Sequence, residues 1–324
     1  MIIDNSKSKL FSSVGQRATF GLACLELIKK FENLMVLTAD VSTSAGLDRF
    51  KNKFNNSYLD VGIAEQNLIG VATGLSTLGY NVFTTTFAPF QTMRCLEQIK
   101  VNQGYMKKKI TMVGLASGVV LGTLGYTHCC IEDLSIMRSI PGLTILSPCD
   151  GAEVVKTVFA AAKHDKPVYI RLTGASNSKV INAKDYNYKI GMPIELVAGS
   201  DVIIFATGSI VANCIEAANE IKKDKNISVC IVNVHTLKPI EKEYIIKKVK
   251  NYKKIITVEE HSIEGGLGTI INQCLIGNIL DSQKILNVGL PDNYNISGEY
   301  TYLLEKYSLS KNGIKKKIAE FLNS

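Results

Sequence analysis

Residues 58–87 read YLDVGIAEQNLIGVATGLSTLGYNVFTTTF and contain three patterns in succession. The first residues, YLDVGIA, are typical of a buried strand, and residues 64–79 have the spacing of an amphipathic helix. NVFTTTF (81–87) is again short and rich in β-branched and aromatic residues, as strands are. A strand, a helix and a second strand in this order predict an α/β domain.

The same alternation continues on both sides of this stretch. Short, almost continuously apolar runs predict strands that are buried on both faces of a parallel sheet. In the first half they are LMVLTAD (34–40), KKITMVGL (108–115), LTILSP (143–148) and PVYIRL (167–172). Amphipathic stretches at 15–31 and 151–165 predict helices between them. The fold class is therefore α/β, with a parallel sheet flanked by helices.

A polar segment divides the chain into two predicted domains. Residues 174–193 read GASNSKVINAKDYNYKIGMP, with Gly and Pro at the ends, and a second strand–helix alternation follows. We therefore predict a first domain over 1–180, a linker over 181–194 and a smaller α/β domain over 195–324. The last segment of the chain predicts a polar helix.

Composition excludes several classes of protein. The 324 residues are 46% hydrophobic with a mean hydropathy of +0.12, which indicates a well-cored globular protein. We expect no signal peptide and no membrane helix, because no apolar run is long enough. The net charge of +8 lies in lysine runs without a nucleic-acid motif. Eight cysteines without a C-x-x-C pair indicate free thiols in a reducing cytoplasm.

Four polar or aromatic residues fall at predicted strand ends, where ligands bind in open α/β sheets: Asp40, Glu65, Phe87 and His128. Taken alone, Glu65 is explained by the preference of acidic residues for the first turn of a helix. A lone His128 is more often a packing residue. The sequence motifs around Glu65 and His128 favour a functional role for both residues over these structural explanations.

Six motifs occur in one order along nearly the whole chain. They are TADVSTSAGLDRF (38–50), residues 59–80, TTTFAPFQTMRCLEQIK (84–100), LGYTHCCIEDLSIMRSIPGLTILSPCD (124–150), KPVYIRLTG (166–174) and TLKPI (236–240) with VEEHSIEGGLG (258–268). Together they resemble the C-terminal half of transketolase, the pyrimidine-binding domain followed by the C-terminal domain. The resemblance is closest to the split type, in which the two halves of the enzyme are separate polypeptides.

The resemblance implies a cofactor, thiamine diphosphate, and a role for Glu65. In that family this carboxyl hydrogen-bonds a ring nitrogen of the aminopyrimidine, and the cofactor can then lose the proton of its thiazolium carbon. The carboxyl must hold or share a proton, so we expect an apolar surround that includes Ile63. The motif TFAPF implies a stacking role for Phe90 and a wall role for Phe87. Arg94 is expected to line the same cleft.

The resemblance also implies residues for substrate. His128, in GYTH, matches the histidine that moves protons to and from substrate hydroxyls, a role that suits imidazole. Arg17 and Ser44 match positions that help to bind the substrate phosphate. His261 is assigned a structural role, and EGGLG (264–268) is expected to be a tight turn that opens a helix.

One half of the cofactor site is absent from the sequence. The family binds the diphosphate through Mg²⁺ or Ca²⁺ held by a G-D-G motif and a downstream Asn, and no G-D-G occurs here. We therefore predict no metal site in this chain. An N-terminal-type subunit is expected to bring the metal and the diphosphate site, with two heterodimers forming a heterotetramer.

Several substrate positions depart from the family pattern. Leu124 replaces an Asp, Ala116 a His, Gly174 an Arg that clamps a sugar phosphate, and Cys129 a Gln or His. Loss of a bidentate Arg is a large change at a phosphate site, so we expect a non-standard sugar substrate. Two alternatives stay open: a decarboxylating enzyme (deoxyxylulose-phosphate-synthase-like, or a 2-oxoacid dehydrogenase β subunit) and a non-catalytic regulatory half.

Overall fold

Apolar strands and amphipathic helices alternate to build two sheets, each covered by helices, in a computed structural model that describes residues 3–294 and 296–323. The strands are β1 (Leu34–Thr38), β2 (Tyr58–Asp60), β3 (Asn81–Phe87), β4 (Thr111–Leu115), β5 (Thr144–Leu146), β6 (Val168–Arg171), β7 (Ile194–Val197), β8 (Val202–Ala206), β9 (Val229–Asn233), β10 (Thr236–Lys238), β11 (Lys254–Ser262) and β12 (Lys284–Leu290). The helices are α1 (Asn5–Leu27), α2 (Asp48–Lys53), α3 (Glu65–Thr77), α4 (Ala88–Gln91), α5 (Leu96–Ile99), α6 (Asp133–Arg138), α7 (Gly151–Lys163), α8 (Val211–Lys225), α9 (Lys242–Val249), α10 (Leu267–Leu275), α11 (Tyr300–Lys306) and α12 (Lys311–Leu322).

The first sheet has seven strands in the order β10-β5-β6-β4-β3-β1-β2, and the second has five in the order β12-β11-β8-β9-β7. Every pairing is parallel except those of the edge strands β10 and β7, which are antiparallel. All residues of the central strands β4, β6, β8 and β9 are buried. This explains why these strands are nearly continuous apolar runs in the sequence. The predicted α/β fold is confirmed.

Strand β10 was not predicted and connects the two halves of the molecule. It follows β9 in the second half of the chain, but it pairs with β5 at the edge of the first sheet. The predicted boundaries at 180 and 195 stay a prediction. The predicted linker is packed, because the Asp150 carboxylate accepts hydrogen bonds from the Ile181 and Asn182 N–H groups.

Helix α1 is kinked at Gly15, which has φ +80° and ψ 170°. A side chain there would be strained, and its Cβ would lie 3.0 Å from the Ser176 Cα. After the kink, the buried Gln16 side chain donates to the Pro148 carbonyl and accepts from the Thr173 N–H. These bonds fix the start of the second half of α1 at the carboxyl ends of β5 and β6.

No helix in the described part of the chain is both long and apolar enough to span a bilayer. All eight cysteines are free and buried.

Candidate active site

The loop between β2 and α3 places Glu65 at the first position of the helix. Gly62, with φ +71°, allows the turn. The Asp60 carboxylate accepts the Asp40 N–H at 2.9 Å and the Gly62 N–H at 3.0 Å. Burial opposes the ionised form of Asp60, but these backbone donors outweigh it and lower its pKa. Asp60 therefore holds the ends of β1 and β2 together at the point where α3 begins.

Glu65 is buried, with 5% of its surface exposed, and it forms an ion pair. Arg94 donates from Nη1 to its Oε1 at 2.6 Å, and the Arg94 guanidinium carbon lies 3.9 Å from the centre of the Phe90 ring. The predicted apolar surround is thus incomplete in this chain. Leu68 is fully buried, whereas the Ile63 side chain is 79% exposed and shields Glu65 little.

Phe87, Phe90 and His128 form an aromatic cluster beside this ion pair. The ring centroids are 6.4 Å apart for the two phenylalanines, 5.4 Å for Phe90 and His128, and 6.2 Å for Phe87 and His128, all in edge-to-face orientation. Such pairs stabilise by about 0.5–1.5 kcal/mol beyond area burial. Phe87 ends β3, Phe90 lies in α4 and His128 lies in the loop after β4. Because β3 and β4 are neighbouring parallel strands, their carboxyl ends bring these three side chains together.

The loop that carries His128 is anchored at its base. Gly118 and Cys130 exchange two backbone hydrogen bonds of 2.8 and 2.9 Å. Glu260, from β11, accepts the Val119 N–H through Oε1 at 2.9 Å and the Tyr300 hydroxyl through Oε2 at 2.7 Å. The second domain thus fixes the position of a loop of the first.

Arg17 and Ser44 lie in neighbouring backbone segments. A Cβ on Gly46 would lie 2.7 Å from the Ala18 Cα, so the segment after β1 packs directly on α1 just past Arg17. Arg17 is half-buried, and burial lowers its pKa. Among residues 3–294 and 296–323, no hydrogen-bond or ion-pair partner of its guanidinium is present. A half-buried, unpaired guanidinium is suited to an anionic ligand.

The four departing positions are structurally distinct. Gly174 has φ +78°, and a Cβ there would lie 2.6 Å from the Ser209 Cβ, so an arginine does not fit without rearrangement. Ala116 is buried with φ 54°, an unusual conformation for a residue with a Cβ. Leu124 is 55% exposed. Cys129 is a buried thiol, and burial raises its pKa to about 11.

Two features of the site were not predicted. Arg94 was expected in the cleft, but its ion pair with Glu65 was not. The two residues are 29 positions apart, and no local sequence pattern indicates the pair. Glu260 and its contact with the His128 loop join residues 141 positions apart. The turn at 264–268 does open a helix, since Gly265 has φ +76° and the Glu259 carboxylate caps the Leu267 and Gly268 N–H groups.

The arrangement has a defined binding chemistry. A buried carboxylate beside an aromatic face binds a planar group that carries N–H donors, and the Arg94 guanidinium is such a group within the chain. An aminopyrimidine ring has the same planar shape and polar edge, so the residues fit it. In the described residues, no three His, Cys, Asp or Glu side chains are grouped to hold a metal ion.

Comparison with protein families gives two matches. Residues 12–177 match the family described as transketolase, pyrimidine binding domain, and residues 194–314 match the transketolase C-terminal domain.

Three relatives have nearly the same length as this chain. A Methanocaldococcus jannaschii protein described as a transketolase C-terminal section is 37% identical over 94% of this chain and 96% of its own length. One of the subunits of an apulose-4-phosphate transketolase from Phocaeicola vulgatus is 32% identical over 94% and 97%. A 6-deoxy-6-sulfo-D-fructose transketolase subunit from Clostridium sp. is 34% identical over 91% and 90%.

A solved structure described as a split gene transketolase, inactive beta4 tetramer, has the same architecture. Its TM-score is 0.85 at 32% identity, and the match covers 96% of this chain and 99% of that one.

Proposed function

The chain belongs to the transketolase family, and we propose that it is the subunit that holds the pyrimidine half of a thiamine diphosphate site and transfers a two-carbon ketol unit between sugars. The observation that carries this proposal is Glu65, which is 5% exposed at the start of α3 and adjoins the cluster of Phe87, Phe90 and His128. The helix dipole explains an acid at the start of α3, but it does not explain the aromatic cluster beside it.

Thiamine diphosphate, when bound, supplies the nucleophilic carbon that carries the two-carbon unit. Glu65 would hydrogen-bond the pyrimidine ring and share a proton with it. Phe90 would provide the stacking face, Phe87 the wall behind it and Ile63 an apolar edge. His128, the imidazole of the cluster, would give and take protons at substrate hydroxyls.

The substrate is proposed to be a non-standard sugar. Gly174 leaves no room for the clamping arginine of the family, whereas Arg17 is unpaired among the described residues and lies beside the segment of Ser44. We propose that Arg17 and Ser44 bind an anionic group at one end of the sugar. Two relatives are named for sugars with such a group, a 4-phosphate and a 6-sulfo substituent.

The partner is proposed to be a separate N-terminal-type subunit that holds the diphosphate through Mg²⁺ or Ca²⁺. Ile63, Met93 and Leu124 expose apolar surface beside the site, at 79%, 39% and 55% of their areas, and a partner would cover it. The inactive tetramer of the solved relative supports the view that one subunit type is not sufficient. We propose a pair of heterodimers in the cytoplasm, consistent with eight free thiols.

Reconstitution tests this proposal. The chain, the partner and their mixture are each incubated with thiamine diphosphate, Mg²⁺ and a panel of ketose donors and aldose acceptors, including phosphorylated and sulfo-substituted sugars. We expect cofactor-dependent two-carbon transfer only in the mixture. Transfer by the chain alone, or none by the mixture with any donor, would contradict the proposal.

Pyruvate in the same assay distinguishes the alternatives. Release of carbon dioxide from pyruvate with condensation onto an aldose phosphate would identify a decarboxylating enzyme. A mixture that binds cofactor but whose activity equals that of the partner alone would identify a regulatory half.

A further inference from the structure

Arg94 satisfies both contacts that the pyrimidine site offers to a ligand. Its Nη1 donates to Glu65 Oε1 at 2.6 Å, which is the position for a ring nitrogen or an amino group of a ligand. Its guanidinium carbon lies 3.9 Å above the Phe90 ring centre, which is a stacking distance. A guanidinium is planar and carries N–H donors on its edge, as an aminopyrimidine does.

The backbone of Arg94 is fixed, whereas its side chain is partly exposed to solvent. The Arg94 carbonyl accepts a hydrogen bond from Gln66 Nε2 at 3.1 Å, and the neighbouring Cys95 is fully buried. The side chain is 42% exposed, whereas that of Glu65 is 6% exposed. Arg94 can therefore rotate into solvent without disturbing the core, but Glu65 cannot follow it.

The departure of Arg94 has an electrostatic consequence. It would leave the buried carboxylate of Glu65 without its partner, and an unpaired buried charge is costly. A ligand compensates for this cost if it brings an N–H donor to Glu65 Oε1 or a ring nitrogen that shares a proton with the carboxyl. A flat apolar ring would stack on Phe90 but leave Glu65 unpaired.

We propose that Arg94 is a plug that closes the pyrimidine site of the free chain, and that the cofactor binds by displacing it. This inference rests on the proposed function, because it assigns the ligand of the same site. The free chain is then closed as well as incomplete, and its apparent affinity for cofactor is reduced by the fraction of molecules in which Arg94 is out.

Thiamine, which lacks the diphosphate, is the probe, because it requires no metal or partner subunit. The isolated full-length chain, Arg94→Ala, Arg94→Lys and the control Arg49→Ala are titrated with thiamine by calorimetry and by saturation-transfer NMR. Arg49→Ala removes the same charge from an exposed position on α2. Thermal unfolding of each variant checks that it is folded.

We expect Arg94→Ala to bind thiamine about tenfold more tightly than the wild type or Arg49→Ala, because no plug competes. Arg94→Lys should fall between them, since an ammonium keeps the charge but does not stack as a planar fork. Toluene, a flat ring without hydrogen-bond donors, should bind Arg94→Ala more weakly than thiamine does, because it stacks on Phe90 but leaves Glu65 unpaired.

The plug proposal is wrong if Arg94→Ala binds thiamine with the same affinity as the wild type or more weakly. It is also wrong if no variant binds thiamine detectably. A loss of binding would instead make Arg94 a cofactor-binding residue. Neither result decides whether the proposed function is correct, because that function is tested separately by two-carbon transfer in the complex.

Discussion

At the residue scale, the chemistry of the site depends on which planar group faces Glu65. The sequence motifs predicted the carboxylate, the ring of Phe90 and the position of His128, because each belongs to a short local pattern. The ion pair of Arg94 was not predictable, because it depends on a side-chain rotamer and on packing between α3 and the turn after α4.

His128→Asn separates proton transfer from cofactor binding. The imidazole packs edge-to-face on Phe90 at 5.4 Å and has the Thr127 hydroxyl 3.0 Å from Nδ1. Asn keeps a polar side chain but removes an acid–base group, so we expect kcat in the complex to fall by about 10²–10⁴-fold. The Kd for thiamine diphosphate should change little.

His164→Asn is the matched control, since His164 hydrogen-bonds Thr144 at the other end of the first sheet. Normal kcat in His128→Asn, or an equal loss in both variants, would refute the catalytic assignment of His128.

At the scale of elements, the strands and the long helices were predictable from the spacing of apolar residues in the sequence. Strand β10 and the kink of α1 were not. β10 has three residues, and its partner β5 lies 90 positions upstream, so no local pattern indicates the pairing. The kink depends on the dihedral angles of Gly15, and glycine alone in a helical pattern does not reveal it.

Gly15→Ala tests the kink. With φ +80° and Ser176 Cα at 3.0 Å from the added Cβ, we expect a loss of about 1–3 kcal/mol in the free energy of unfolding. Gly70→Ala is the control, since Gly70 lies in α3 with no heavy atom within 4 Å of an added Cβ. It should gain about 0.5–1 kcal/mol by helix propensity.

Urea unfolding of the two variants measures both values. If Gly15→Ala and Gly70→Ala have the same free energy of unfolding, the positive φ assigned to Gly15 is wrong.

At the scale of the whole molecule, the two domains share a buried polar network around Glu260. Its carboxylate is 1% exposed and accepts hydrogen bonds from Val119 of the first domain and Tyr300 of the second. Burial raises its pKa to about 7, despite those donors. The fold class predicted these domains, but it gave no indication of the contact between them.

Glu260→Gln gives a pH-dependent change in stability. A carboxyl whose folded pKa exceeds its unfolded value destabilises the fold increasingly as pH rises from about 4.5 to about 7. Gln removes this contribution, so the variant should match the wild type near pH 4.5. Above pH 7 it should be more stable by about 3 kcal/mol.

Glu259 and His261 also have shifted pKa values, raised to about 7 and lowered to about 4 by burial, and both remain in the variant. Their contributions therefore cancel in the difference between the two proteins. Exposed Glu264→Gln is the control and should show no such difference. If the free energies of unfolding of Glu260→Gln and the wild type differ by the same amount at every pH from 4.5 to 8, the raised pKa of the Glu260 carboxyl is wrong.

The most direct test of the central claim is the rate of two-carbon transfer by the reconstituted complex that carries Glu65→Gln. Gln keeps the size and the polarity of the side chain but removes the acid, so we predict a fall in kcat of at least about 100-fold with the partner still bound. Glu97→Gln, an exposed acid in the first turn of α5, should have normal activity. Full activity of Glu65→Gln would contradict the account.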